Sequence, residues 1–264
     1  MNTQDLIPPS TSHPRATTPR RHEGKIALIT GGARGIGAGI ARRLAAEGAQ
    51  VVFTYASAAS AADLLVTDIE AGGGAATAIA ADSSQRDEIR QAVDTVLDHY
   101  GRLDIVVGNA GGGTTNQIDA LSDDEIDRMI DVNIRGTVDL VRFSAPHMST
   151  GGRIIIIGSV NATFVPVSGL STYAMTKGAV ASLVRGLGRE LGPRGITINN
   201  VQPGPVDTDA NPADGPAGQT LRDFIPLGRF GTVEEVASFV SYVASDEASL
   251  INGASLSVDG GFSA

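Results

Sequence analysis

Tyr173-Ala-Met-Thr-Lys177 places a phenol and an ammonium four residues apart. On a helix, positions i and i+4 share one face, so both groups can approach a single point. A phenol ionises near ~10, too high for easy proton exchange at neutral pH, and a neighbouring ammonium favours the phenolate. Lowering a tyrosine by ~3 units takes roughly 4 kcal/mol, and it makes Tyr173 a usable general acid or base. The lysine stands out against its background: of twenty basic residues only Lys25 and Lys177 are lysine, and the rest are arginine.

Ser159 follows a strand-like run, Arg153-Ile-Ile-Ile-Ile-Gly158. In an open α/β sheet the carboxyl end of a strand borders the ligand crevice. A hydroxyl there can donate to a substrate carbonyl and stabilise charge developing on its oxygen. A serine-hydrolase role is disfavoured, because Ser159 lacks a Gly-x-Ser-x-Gly elbow and no histidine follows His147.

Near the start of the chain, Thr30-Gly31-Gly32-Ala33-Arg34-Gly35-Ile36-Gly37 follows an apolar run and leads into a helical pattern. Its spacing is G-x-x-x-G-x-G, not the commoner dinucleotide pattern G-x-G-x-x-G. The physics is shared: glycines let a pyrophosphate approach the backbone, and a helix N-terminus offers unpaired N–H groups and partial positive charge. Sites for NAD usually set an acid on the ribose about 20 residues past the loop. Here the second strand-like run ends Phe53-Thr54-Tyr55-Ala56-Ser57, and the next acid, Asp63, falls inside the following helix. No carboxylate repels a 2′-phosphate, and Arg34 and Ser57 can hold one. The expected cofactor is NADP(H); the plainer alternative is that Arg34 only solvates its loop.

These groups need a scaffold. Strand-like runs fall at 26–30, 50–54, 76–80, 103–108, 153–158, 196–201 and 255–259. Between them lie helical spacings such as Ile36, Ile40 and Leu44, or Ile89, Val93, Val96 and Leu97. Ser122–Glu125 and Thr232–Glu235 read as capping boxes, and Ser171 as the N-cap of the helix that carries Tyr173. The strands are continuously apolar and β-branched, as when helices cover both faces. The pattern predicts one α/β domain, a doubly wound, Rossmann-like parallel sheet of seven strands with helices on both faces.

Composition excludes several other readings. The absence of cysteine removes disulfides, thiolate metal sites and a cysteine nucleophile. Four scattered histidines form no His-x-x-x-His pair, so no metal site is expected. A net charge of −9 argues against indiscriminate binding to nucleic acid or an anionic membrane. Residues 1–23, rich in Pro, Ser, Thr and Arg, read as a disordered or loosely docked N-terminal arm with no secretory apolar run, and residues 24–264 as the domain. No stretch approaches the ~18 apolar residues of a membrane span, and a cytoplasmic protein is expected.

Further motifs stand in order along the chain: Asn109-Ala110-Gly111, Asp131-Val132-Asn133, Pro203-Gly204 and Asp259-Gly260-Gly261. Together with TGGARGIG at 30–37, Ser159 and Tyr173-x-x-x-Lys177, they make residues 24–264 resemble a short-chain dehydrogenase/reductase. The resemblance implies hydride transfer between NADP(H) and a ketone, aldehyde or secondary alcohol, and a catalytic tetrad. In it Tyr173 donates the proton, Ser159 polarises the carbonyl, Lys177 binds the nicotinamide ribose and tunes Tyr173, and Asn133 holds a water linking Lys177 to solvent. Cofactor contacts would fall to Gly31, Arg34, Gly35, Ile36, Gly37, Tyr55, Ser57, Asp82, Ser83, Asn109, Ala110, Gly111, Tyr173, Lys177, Pro203, Gly204, Val206 and Thr208, with Asp82 facing the adenine and Val206 and Thr208 the carboxamide. The chain departs from the family pattern in reading Gly108 for an asparagine and Asp82-Ser83 for Asp-Val, and in a fourteen-residue step from Ser159 to Tyr173.

Around the loop and helices the chain is similar to 3-oxoacyl-carrier-protein reductases and general carbonyl reductases. Residues 151–161 and 192–216 resemble a cyclic-di-GMP-binding kind of short-chain reductase homologue, so a nucleotide-sensing regulatory protein stands as the alternative. Residues 207–227, broken by Asn211-Pro212 and Asp214-Gly215-Pro216, are expected to form a substrate lid. Phe164, Val165, Leu170 and Phe224 are candidates for an apolar wall, and a neutral small-molecule carbonyl is favoured as substrate. The resemblance also implies a homotetramer, with Ala174, Gly178, Ala181 and Leu183 offering a small-residue helix face.

Overall fold

The computed structural model describes residues 20–264. Within them, seven strands form one parallel sheet ordered β3-β2-β1-β4-β5-β6-β7. They are β1 (Ile26–Ile29), β2 (Gln50–Tyr55), β3 (Ala75–Ala80), β4 (Leu103–Gly108), β5 (Met148–Ile157), β6 (Thr197–Pro203) and β7 (Ser255–Val258). The helices are α1 (Gly35–Ala46), α2 (Ala59–Ala71), α3 (Arg86–Tyr100), α4 (Asp123–Ile130), α5 (Gly136–Ser144), α6 (Ser171–Leu191), α7 (Gly218–Asp223) and α8 (Val233–Val243). A π-helical turn, Asp131–Arg135, joins α4 to α5.

Strand residues alternate between two cores, which is why their runs are apolar without interruption. Ala27, Ile29, Val51, Phe53, Ile105, Val107, Ile155 and Ile157 pack with α1, α2 and α8. Ile26, Leu28, Val52, Val106, Ile154 and Ile156 pack with α3, α5 and α6. Both capping boxes form, Ser122 with Glu125 and Thr232 with Glu235. The order of strands reverses between β1 and β4, and ligands of such sheets bind in the crevice at that point.

Two expectations need correction. Ser171 is the first helical residue of α6, and Leu170 holds the cap position without a side-chain hydrogen bond. The arm expected over residues 1–23 lies outside the described residues for 1–19, but residues 20–23 belong to the body. His22 is 1% exposed. Its backbone N–H donates to the Glu47 carbonyl at 2.9 Å, and its Nε2 lies 3.1 Å from Ser241 Oγ. Ser241 in turn donates to the buried Glu47 carboxylate, and Arg21 bonds Glu247 at 2.9 Å. This segment is held by polar contacts to the end of α1, to α8 and to the turn at 246–248, so hydrophobic periodicity could not reveal it.

Burial, opposed by Glu47, lowers the His22 pKa from 6.5. The unfolded chain therefore takes up a proton that the folded one resists, and stability falls as pH drops below 6.5. Urea melts between pH 7.5 and 5 are expected to show this loss, and His22→Gln to flatten it. At pH 7.5, His22→Ala should cost about 1–3 kcal/mol by stripping partners from buried polar groups. An unchanged midpoint would contradict the assignment.

Candidate active site

The turn after β1 is stitched to the turn after β4. Thr30 Oγ1 accepts the backbone N–H of both Asn109 and Ala110 at 3.1 Å. Asn109 Nδ2 donates to the carbonyls of Thr30 at 3.1 Å and Gly31 at 2.8 Å. A β-carbon on Gly37 would lie 2.4 Å from the Gly31 oxygen and 2.5 Å from Asn109 Nδ2, so glycine is required by close approach. Gly35 opens α1 at φ +51°, and no side chain caps that helix. Its first N–H groups are left for a ligand in the crevice. This bare-backbone cradle at a helix N-terminus fits the pyrophosphate of a dinucleotide.

A cleft of about 720 Å³ runs over the carboxyl ends of the strands. The expected cofactor residues Gly31, Arg34, Gly35, Ile36, Gly37, Tyr55, Ser57, Asp82, Ser83, Asn109, Ala110, Gly111, Tyr173, Lys177, Pro203, Gly204 and Thr208 line it, and so does Ser159. Val206 does not: its side chain is buried in the first core, and its backbone bridges to Gly231. Arg34 and Ser57 are exposed at the rim beside half-buried Tyr55. Asp63 is outside the lining. Arg128, Val132, Ile157, Asp209 and the glycines 112 and 113 line the cleft unanticipated; the run of three glycines at 111–113 was the available signal. A second cavity of about 600 Å³ adjoins the cleft, sharing those glycines, Arg128 and Val132 and reaching α4, without Ser159 or Tyr173 in its lining.

Asp82 accepts from Ser84 N–H at 2.9 Å and Ser84 Oγ at 3.0 Å through one oxygen. Arg128 Nη1 reaches the other oxygen at 2.9 Å. Burial raises the Asp82 pKa, yet these hydrogen bonds prevail and hold it below the usual carboxylate value.

At the other end of the cleft, Lys177 is 5% exposed and its Nζ donates to the Ile157 carbonyl at 3.0 Å. Burial lowers its pKa to about 8. Tyr173 is half-buried, with its ring centroid 5.7 Å from Lys177 Nζ. Gly113 packs on that ring so closely that a β-carbon there would lie 2.5 Å from it. Burial raises the Tyr173 pKa, and a side-chain hydrogen bond shared with Ser159 opposes the rise. In the protein alone desolvation outweighs that bond, and the Lys177 ammonium is directed at the Ile157 carbonyl.

Asn133 sits in the π-helical turn, 1% exposed and outside the cleft lining. Its Oδ1 accepts from Gly112 N–H at 3.0 Å, and its Nδ2 donates to the Gly112 carbonyl at 2.8 Å and to Thr176 Oγ1 at 2.9 Å. Both side-chain donors are thereby engaged, and Asn133 pins the glycine triplet to α6.

Of the expected apolar wall only Leu170 lines the cleft. Phe164 packs edge-on against Phe262 at 5.5 Å, while Val165 and Phe224 are 46% and 41% exposed. Within 207–227, Thr208 and Asp209 reach the cleft, and Ile225 is buried with Val160, Phe230 and Phe262. Among the described residues, no group of three His, Asp or Glu side chains is placed to hold a metal ion, and no helix is long and apolar enough to cross a membrane.

A parallel doubly wound sheet with a glycine cradle and a Ser–Tyr–Lys cluster over one crevice defines a dinucleotide-type oxidoreductase scaffold. A family model described as enoyl-(acyl carrier protein) reductase matches residues 31–263. A short-chain dehydrogenase/reductase from Serratia marcescens is 49% identical with a TM-score of 0.91, over 92% of this chain and 100% of that one. A short-chain dehydrogenase from Burkholderia cenocepacia, solved with NADP, is 46% identical with a TM-score of 0.91 over the same shares, 92% and 100%. The cyclic-di-GMP-binding biofilm dispersal mediator protein of Escherichia coli is 47% identical over 241 residues, 91% of this chain and 98% of that protein. The chain belongs to the short-chain dehydrogenase/reductase family.

With only two lysines, the Lys177 value is open to direct reading by ¹³C NMR of lysine-labelled protein. One of two side-chain ε-carbon resonances should titrate with a midpoint of about 8 and disappear in Lys177→Met. A midpoint above 10 for both would show the ammonium to be hydrated, contrary to the buried geometry.

Proposed function

We propose that this protein is an NADP(H)-dependent oxidoreductase that interconverts a small neutral ketone or aldehyde and its alcohol. The carrying observation is that Ser159, Tyr173 and Lys177 meet in the cleft that begins at the uncapped N-terminus of α1. When bound, the nicotinamide supplies or accepts the hydride. The backbone of 31–37 takes the pyrophosphate. Arg34 and Ser57 take the 2′-phosphate, since the carboxyl end of β2 offers no competing acid. Lys177 holds the nicotinamide ribose, Ser159 donates to the substrate oxygen, and Tyr173 passes its proton to that oxygen in reduction and recovers it in oxidation. Residues 207–227, with Thr208 and Asp209 on the cleft, act as the substrate cover. The assembly is a homotetramer working in the cytoplasm.

A second reading, a nucleotide sensor, is supported by the name of the E. coli relative. The cleft's complete set of Ser159, Tyr173 and Lys177 favours turnover.

NADPH oxidation with 9,10-phenanthrenequinone and ethyl acetoacetate tests the chemistry. Tyr173→Phe should lower kcat by about 10²–10⁴-fold while NADPH still binds. Calorimetric binding of cyclic-di-GMP without turnover of any carbonyl would favour the sensor. Arg34→Ala should raise KM for NADPH about 10-fold and leave NADH nearly unchanged, as loss of one charge-assisted phosphate contact requires. A better kcat/KM with NADH in the unmodified protein would refute the NADP(H) assignment.

A further inference from the structure

Asn161 lies two residues past Ser159, in the 3₁₀ turn Val160–Ala162 that follows β5. Its side chain is half-buried and committed at both ends. Nδ2 donates to the Phe164 carbonyl at 2.9 Å, and Oδ1 accepts the Ser159 hydroxyl at 3.1 Å. The Phe164 carbonyl can only accept, so the amide cannot be turned round, and an oxygen must face Ser159. The backbone N–H of Asn161 completes the arrangement by donating to Ser159 Oγ at 3.1 Å. Ser159 is thereby held in one rotamer, with its single proton directed at Asn161.

We propose that Asn161 is a positioning residue that sets where the Ser159 proton points. This rests on the oxidoreductase reading above. A ground-state carbonyl is a weak acceptor and competes poorly with the Asn161 amide oxygen. The partly anionic oxygen that forms during hydride transfer is a stronger one, since hydrogen bonds to ionised acceptors are about twice as strong. Ser159 therefore changes partner as charge develops, and its contribution is concentrated in the transition state. The Phe164 carbonyl anchors the amide, and the Phe164 ring stacks edge-on against Phe262 near the C-terminus, so the aromatic cluster around Ile225 and Phe230 backs this positioning.

The test uses the full chain, NADPH and 9,10-phenanthrenequinone, with Asn161→Ala, Asn161→Asp, Ser159→Ala and the two double variants. Asn161→Ala should lower kcat about 10-fold with KM for NADPH unchanged, and the same substitution should have no further effect in the Ser159→Ala background. Asn161→Asp sets an ionised acceptor opposite Ser159, which holds its proton about twice as strongly, and loses the tie to Phe164, so its loss should be larger than that of Asn161→Ala, and it serves if the alanine variant does not fold. Equal fold-losses in both backgrounds, or an unaltered kcat in the single variants, would overturn the proposal. If Ser159→Ala or Tyr173→Phe turns over like the unmodified protein, the oxidoreductase reading fails instead; a crippled Ser159→Ala beside an unaffected Asn161→Ala defeats this inference alone.

Discussion

Burying an ammonium is the constraint around which the crevice is arranged. Lys177 is held under the end of β5, with one hydrogen bond to the Ile157 carbonyl in place of a shell of water. Desolvation penalises its charged form and brings its pKa down to about 8. The cost is met by surroundings that cannot relax. A β-carbon on Gly111 would sit 3.3 Å from Nζ and 3.2 Å from Asn133 Oδ1, so the loop after β4 closes directly over the amine. Asn133 then fastens the next residue, Gly112, through both its backbone groups. The same loop returns to β1 through Asn109 and Thr30. Lysine, glycine loop, π-helical turn and nucleotide cradle form one continuous network.

Much of this was legible in the sequence, for local reasons. Seven apolar runs, two capping boxes and the ordered motifs each carry their meaning within a few residues, and their strand and helix placements match the structure. Gly37 is informative in the same way, since it marks a place where two backbones touch. What the sequence did not disclose depends on partners far along the chain. His22 is anchored by Glu47 and Ser241, which no pattern within residues 1–23 can signal. Val206 carries a motif position yet turns its side chain into the core. Phe164 and Phe224 answer to Phe262 and not to the cleft, because aromatic packing at the C-terminus competes for them.

For Tyr173 and Lys177 the i, i+4 spacing sets the shared face but not the contact between the two groups. Four residues on a helix do put phenol and amine on one face, but they do not fix the direction of a four-carbon side chain. Lys177 follows the better acceptor, a buried carbonyl, and leaves the phenol dominated by its own desolvation. Anionic phosphates and a ribose in the cleft would change that balance, so the ionisation of this pair belongs to the loaded protein more than to the chain alone.

The cradle at residues 31–37 is made of main chain, and its glycines are crowded by their neighbours: Gly31 by the Ala110 backbone, Gly32 by the Phe53 side chain, and Gly37 by the Gly31 carbonyl and the Asn109 amide. Substitution of these glycines has almost no freedom, so dinucleotide selectivity is not readily adjusted through them. Evolvability is displaced outward to Arg34 and Ser57, which stand exposed at the solvent edge and outside both packed cores. A scaffold divided in this way can exchange one redox currency for another by altering a few rim side chains while its foundation stays fixed.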